Sequence, residues 1–237
     1  MKKIIIILFL FLLCYTCYYI YNITERNTLN ITSIGDSISI DTYLKNNPIV
    51  GNYNTDFTNK DNHINDLLNI IKYNKEINKD NKDISMHQIL KKSDIIILSI
   101  GMNDIYYKLN NDHKEIYTYL NNIILNYEEL LKEINKYDYK EVFVLGYYNI
   151  TNKQNDIFSY INYKLKKLTN NYNYTYIDLN NILYNNKKYL QNNNNYYLNN
   201  DGINQIHQII VEKLKKYWYN IKRIYYYDIY LSWRKEK

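Results

Sequence analysis

The stretch Asp94–Ile100, DIIILSI, constrains the fold of this chain more than any other. It is apolar at successive positions and too short for a globular helix. A strand with that pattern is buried on both faces, so the sheet needs cover above and below. Three other short runs are rich in strand formers: Leu29–Ile34 (LNITSI), Glu141–Gly146 (EVFVLG) and Tyr174–Leu179 (YTYIDL). Helical patterns separate them. In Asp112–Tyr137 the residues Ile116, Leu120, Ile123, Tyr127, Leu130, Ile134 and Tyr137 recur at steps of three and four, with Asp112 placed as an N-cap. Ile157–Leu168 and Ile203–Tyr217 repeat the periodicity. Alternating strands and helices predict an α/β fold with a parallel sheet covered on both sides. Ligands of such folds bind in the crevice at the carboxyl ends of the strands.

Two of those strand ends carry polar glycine motifs. The first run leads into Gly35-Asp36-Ser37, and DIIILSI leads into Gly101-Met102-Asn103-Asp104. A serine there is a candidate nucleophile, which requires a base to activate it. An asparagine side-chain amide there can donate to a developing oxyanion. Composition sharpens the point. The chain has no alanine, five glycines, one proline and 31 tyrosines, the imprint of AT-rich codons. Under that bias a retained glycine more readily reflects a backbone need. Gly35, Gly101 and Gly146 close strands, and Gly202 stands beside Asp201. Hydrophobic residues at 46% and charged residues at 23% suit a globular chain and exclude collagen, linker and disulfide-scaffold classes.

Ile34-Gly35-Asp36-Ser37 resembles the first block of the SGNH (GDSL) hydrolases, and Ile100-Gly101-Met102-Asn103-Asp104 resembles their third. Met86–Leu109 and Val144–Asn149 are similar to the membrane-anchored bacterial lipase/acylhydrolase branch of that family. The resemblance spans residues 29 to 216. It implies a flavodoxin-like three-layer sandwich and an acyl-enzyme formed on Ser37. It further implies an oxyanion hole from the Ser37 N–H, a second-block backbone N–H and Asn103. Two blocks depart from the family. The second falls in Phe57–Leu67, where Asp61 aligns with the family's glycine and Asn59 or Asn62 could fill the same slot. The fifth reads Asp201-Gly202-Ile203-Asn204, with Asn204 in place of the family's histidine.

Asparagine cannot serve as a general base. The nearest histidine, His207, shares a helix face with Ile203, Ile206 and Ile210. That face points either to the crevice, with Asp201 orienting the ring, or into the core. His63, in the second-block loop, is the other candidate base. His87 and His113 read as solvated or capping residues. The leading expectation is a serine esterase or acylhydrolase acting on a small-molecule or polymer ester. The alternative is a catalytically degenerate protein whose crevice binds a glycan, lipid or partner.

Lys2 and Lys3 precede an uncharged run from Ile4 to Tyr21, which as a helix spans about 27 Å against a hydrocarbon core of about 30 Å. Residues 1–24 are expected to form a signal-anchor that leaves residues 25–216 outside the cell, or else a cleaved signal for secretion. Both cysteines, Cys14 and Cys17, lie in this run as small apolar fillers. Residues 217–237 mix Trp218, Tyr219, Tyr225, Tyr226, Tyr227, Tyr230 and Trp233 with lysine and arginine. They suit packing on the domain or contact with a membrane. A net charge of +6 is modest, and no nucleic acid is expected. The four histidines lack metal-ligand spacing, and no phosphate loop or dinucleotide motif is present. No cofactor or metal is expected.

Overall fold

The computed structural model describes residues 10, 12–15, 28–36, 43–79, 81–111, 115–137, 141–149, 154–184, 186–191 and 197–235, with backbone alone at 43, 79, 110, 111 and 220–235. The strands are β1 (Leu29–Gly35), β2 (Val50–Asn54), β3 (Glu76–Lys79), β4 (Lys82–Ser85), β5 (Ile95–Ser99), β6 (Glu141–Leu145) and β7 (Thr175–Ile177). Five of them form one sheet in the order β2-β1-β5-β6-β7, and every neighbouring pair in it is parallel. DIIILSI supplies the central strand, and all of β5 is buried, as its pattern requires. The register pairs Ile31 with Ile95 and Gly35 with Ser99. The two glycine motifs therefore emerge side by side from the carboxyl edge of the sheet.

Strand β2 and the antiparallel β3–β4 hairpin were not expected from sequence. Strand β2 (VGNYN) is an edge strand that buries only Val50 and Tyr53 fully, so it carries no apolar run to betray it. The hairpin strands EINK and KDIS are polar for the same reason.

The helices are α1 (Ile64–Lys72), α2 (Met86–Lys92), α3 (Met102–Asn111), α4 (Ile116–Ile134), α5 (Asn155–Asn171), α6 (Asn180–Leu183) and α7 (Asn200–Lys235). The stripe Ile116, Leu120, Ile123, Tyr127, Leu130 and Ile134 faces inward on α4 and is buried. This helix begins at Ile116, after Glu115 in the left-handed region (φ 55°). The expected cap Asp112 and His113 lie outside the described residues. Helix α4 packs against α1, α3 and α5.

The carboxyl-terminal segment continues α7 as helix to Lys235. Tyr217 and Trp218 pack partly buried against the core, and Tyr219 is exposed. Residues 12–15 are helical, and the rest of the expected amino-terminal anchor, apart from residue 10, lies outside the described residues. Among the described residues no helix is long and apolar enough to cross a membrane.

Asn199 fixes where α7 starts. Its carbonyl accepts Ile203 N–H (3.0 Å) and its Oδ1 accepts Gly202 N–H (3.0 Å). Its Nδ2 donates to the carbonyls of Lys188 (2.6 Å) and Leu190 (3.0 Å). Asn199→Ala is expected to cost about 1–2 kcal/mol in urea denaturation. Asn199→Asp keeps the cap acceptor but loses both donations, so it is expected to fall between the two.

Candidate active site

The site is assembled around the carbonyl of Gly35. This residue has φ +130°, and Gly101 at the end of β5 has φ +104°, a region glycine enters without steric cost. Both chains turn sharply as they leave the sheet. Gly35 O accepts Asn59 N–H at 3.2 Å and Asn62 Nδ2 at 3.1 Å, which straps the second-block loop onto the end of β1. Asp36 follows, 3% exposed. Its N–H donates to Ser99 O (2.7 Å), and Ser99 Oγ donates to Asp36 Oδ1 (3.0 Å). The chain is thus pinned on the residue before Ser37. Ser37 itself lies outside the described residues.

Asn103 opens α3 and is buried. Its Nδ2 donates to the carbonyls of Lys60 and Asn62, each at 2.9 Å. One amide thereby ties the third block to the second, and an oxyanion would have to displace one of these carbonyls to be held by it. Asp61 is exposed, and its N–H donates to Asn59 Oδ1 at 3.1 Å within its own turn. Asn62 is the inward residue of this loop. The choice between Asn59, Asp61 and Asn62 is invisible in sequence because a turn carries no periodicity.

His63 follows Asn62 and precedes α1. Its Nδ1 lies 3.3 Å from Asp104 Oδ1, and its side chain is 42% exposed. Asp104 Oδ2 accepts the Ile64 N–H at 3.2 Å. Burial raises the Asp104 carboxyl above the usual carboxylate range, while His63 and the Ile64 N–H oppose that rise. Sequence reading placed Asp104 in the third block but gave it no partner.

The fifth-block residues are not brought together in the same way. His207 is 2% exposed on the inward face of α7, with Ile206 and Ile210 also buried. Asp201 is exposed, and no hydrogen bond or ion pair joins its carboxylate to His207. Asn204 is exposed as well. The helix already runs from Asn200, so Asp201 and His207 fall on different faces. His87 is half-buried and serves the carboxyl end of α1. Its Nε2 lies 2.8 Å from Ile71 O, and its ring sits edge-on to Tyr137 at 5.5 Å.

A cavity of only about 10 Å³ lies between the ends of β1, β5 and β6, lined by Asp36, Ser99, Met102, Gly146, Tyr147 and Tyr148 among others. Burial pushes the phenol of Tyr147 well above its usual value, with Tyr127, Asp104 and Asp36 adding to the rise. It is a neutral group at this end of the sheet. Among the described residues no group of three or more His, Cys, Asp or Glu could hold a metal ion.

No family model and no curated protein matches this sequence. Solved structures do match the fold. An acetylxylan esterase from Geobacillus stearothermophilus superposes with a TM-score of 0.56 at 17% identity, over 80% of this chain and 94% of its own. A lipase from a goat rumen metagenome gives 0.57 at 18%, over 80% and 97%. A further acetyl xylan esterase gives 0.56 at 15%, over 78% and 99%. Also similar are catalytic mutants of the Geobacillus enzyme in which an aspartate or a serine is replaced by alanine. The chain has the α/β fold of these esterases and of that lipase, a parallel sheet flanked by helices.

Proposed function

We propose that this chain is a serine ester hydrolase of the SGNH type, with a flavodoxin-like domain over residues 25–216. The observation that carries the reading is the bracing of both glycine motifs at one sheet edge. Gly35 is strapped by Asn59 and Asn62, and Asn103 is tied to the same loop. That ties the Asn103 amide to the loop strapped onto the turn that leads into Ser37 and supports reading it as an oxyanion donor. Ser37 would attack the ester carbonyl and form an acyl-enzyme. The oxyanion would be held by the Ser37 N–H, by Asn103, and by a loop N–H in the region of Asp61 and Asn62, once the loop yields a donor. The resemblance puts Asn204 where the family has its histidine, so the base is to be sought between the two histidines nearest the motifs, His207 with Asp201 and His63.

The proposed substrate carries a short acyl group, such as acetyl on a sugar or glycan. The esterases that share the fold act on acetylated xylan by name. The amino-terminal segment would anchor the domain outside the cell, with release after cleavage as the alternative. The second reading, a binding protein that has lost catalysis, draws on exposed Asn204 and on the engaged amide of Asn103.

A fluorophosphonate probe separates the two readings. Covalent labelling that peptide mapping places on Ser37 is the expected result. Intact protein that stays unlabelled by fluorophosphonates and inert toward aryl acetates would turn the assignment to the binding protein.

A further inference from the structure

We infer that His63, held by Asp104, is the general base of this site. This deepens the reading above and rests on Ser37 as the nucleophile. The two partners come from different blocks. His63 ends the second-block loop, and Asp104 follows the oxyanion candidate Asn103 in the third. Their side chains meet at 3.3 Å through Nδ1 and Oδ1. With the proton on Nδ1 shared toward Asp104, the lone pair is left on Nε2. That tautomer and orientation are what a base needs in order to accept a hydroxyl proton.

The carboxylate is itself fixed. Asp104 is mostly buried, and its second oxygen accepts the Ile64 N–H at 3.2 Å. The backbone on either side of the histidine is therefore pinned. Ile64 bonds Asp104, and the Asn62 side chain bonds Gly35 O at 3.1 Å. Ser37 is two residues beyond that carbonyl. The imidazole is 42% exposed, so a dissolved ester can reach it. Asp201 offers no comparable support to His207, since no bond connects them.

The proton balance is simple. As Ser37 Oγ bonds to the ester carbon, its proton moves to His63 Nε2 and the carbonyl electron pair moves onto oxygen. When the tetrahedral adduct collapses, the carbon–oxygen bond to the alcohol breaks and the alcohol leaves with that proton. Water then attacks the acyl-serine, giving one proton to Nε2, and this proton returns to Ser37 Oγ as the carboxylic acid leaves. Asp104 stays ionised throughout and acts as a positioning residue.

The test uses the full-length chain with p-nitrophenyl acetate as substrate. His63→Ala is expected to lower kcat by roughly 10²–10⁴-fold with KM nearly unchanged. Free imidazole should restore part of the lost rate, which a merely structural role would not allow. Asp104→Asn is expected to lower kcat by about tenfold or more. His207→Leu, which keeps apolar bulk in the core where an alanine could prevent folding, should stay within about threefold of wild type. If His63→Ala keeps wild-type kcat, or imidazole fails to rescue it, the assignment to His63 is overturned. A large kcat loss in folded His207→Leu would overturn it as well. These outcomes sink the base alone while Ser37→Ala remains inactive. Activity that survives in Ser37→Ala, or an inert wild type, sinks the serine mechanism and the base with it.

Discussion

Ser37→Ala is expected to lower kcat for aryl acetate hydrolysis by roughly 10⁴–10⁶-fold and to leave KM nearly unchanged. The reason is chemical. In the proposed reaction alanine has no oxygen to form the acyl-enzyme, while the groups proposed to hold the ester and its oxyanion stay in place. The thermal transition should move little. Among the described residues, this end of β1 is held by Gly35 O with Asn59 and Asn62 and by Asp36 with Ser99, and all of these bonds remain in the variant. A residual rate above the uncatalysed one is expected from oxyanion stabilisation alone. A variant whose kcat falls less than about tenfold would show that the hydroxyl takes no part in the reaction.

Gly101→Ala should be the most damaging single-methyl change at the sheet edge, costing roughly 2–5 kcal/mol. Two penalties add. The backbone sits at φ +104°, where an L side chain is strained. The new Cβ would also lie 2.5 Å from Tyr147 Oη and 3.0 Å from Ile64 Cδ1. Neither neighbour yields easily. Tyr147 is 2% exposed, and Asn162 grips its backbone on both sides, accepting its N–H and donating to its carbonyl at 2.8 Å each. Ile64 is buried at the start of α1, next to His63. Strain there would reach the His63–Asp104 pair, so activity should fall together with stability. Denaturant unfolding of Gly101→Ala alone and combined with Tyr147→Phe separates the terms. The double variant should recover the part due to the hydroxyl contact and retain the part due to φ. A Gly101→Ala protein as stable as wild type would contradict the strain argument.

The legibility of this molecule in its sequence was uneven. The central strand was plain because Ile95 to Leu98 are apolar at every position, and only burial on both faces suits that. The stripe on α4 was equally plain. Strand β2 and the β3–β4 hairpin carry no sequence signal because their residues are largely polar and exposed or half-exposed. Helix α7 was foreseen as far as Tyr217, whereas the structure continues it to Lys235. The basic and aromatic composition of that extension has no strong helical stripe to announce it.

Taken alone, the sequence determined that a parallel sheet would carry the Gly35 and Gly101 motifs to one edge. Periodicity and strand ends are local properties, readable over a few residues. Tertiary structure alone brought His63 to a carboxylate. His207 had the right block but lies on an inward helix face away from Asp201. His63 was marked only by its place in the second-block loop, with nothing to indicate a partner, yet it closes on Asp104 across 41 positions of chain. That contact depends on how an aperiodic loop folds back onto Gly35 and Asn103, through hydrogen bonds between residues far apart in sequence.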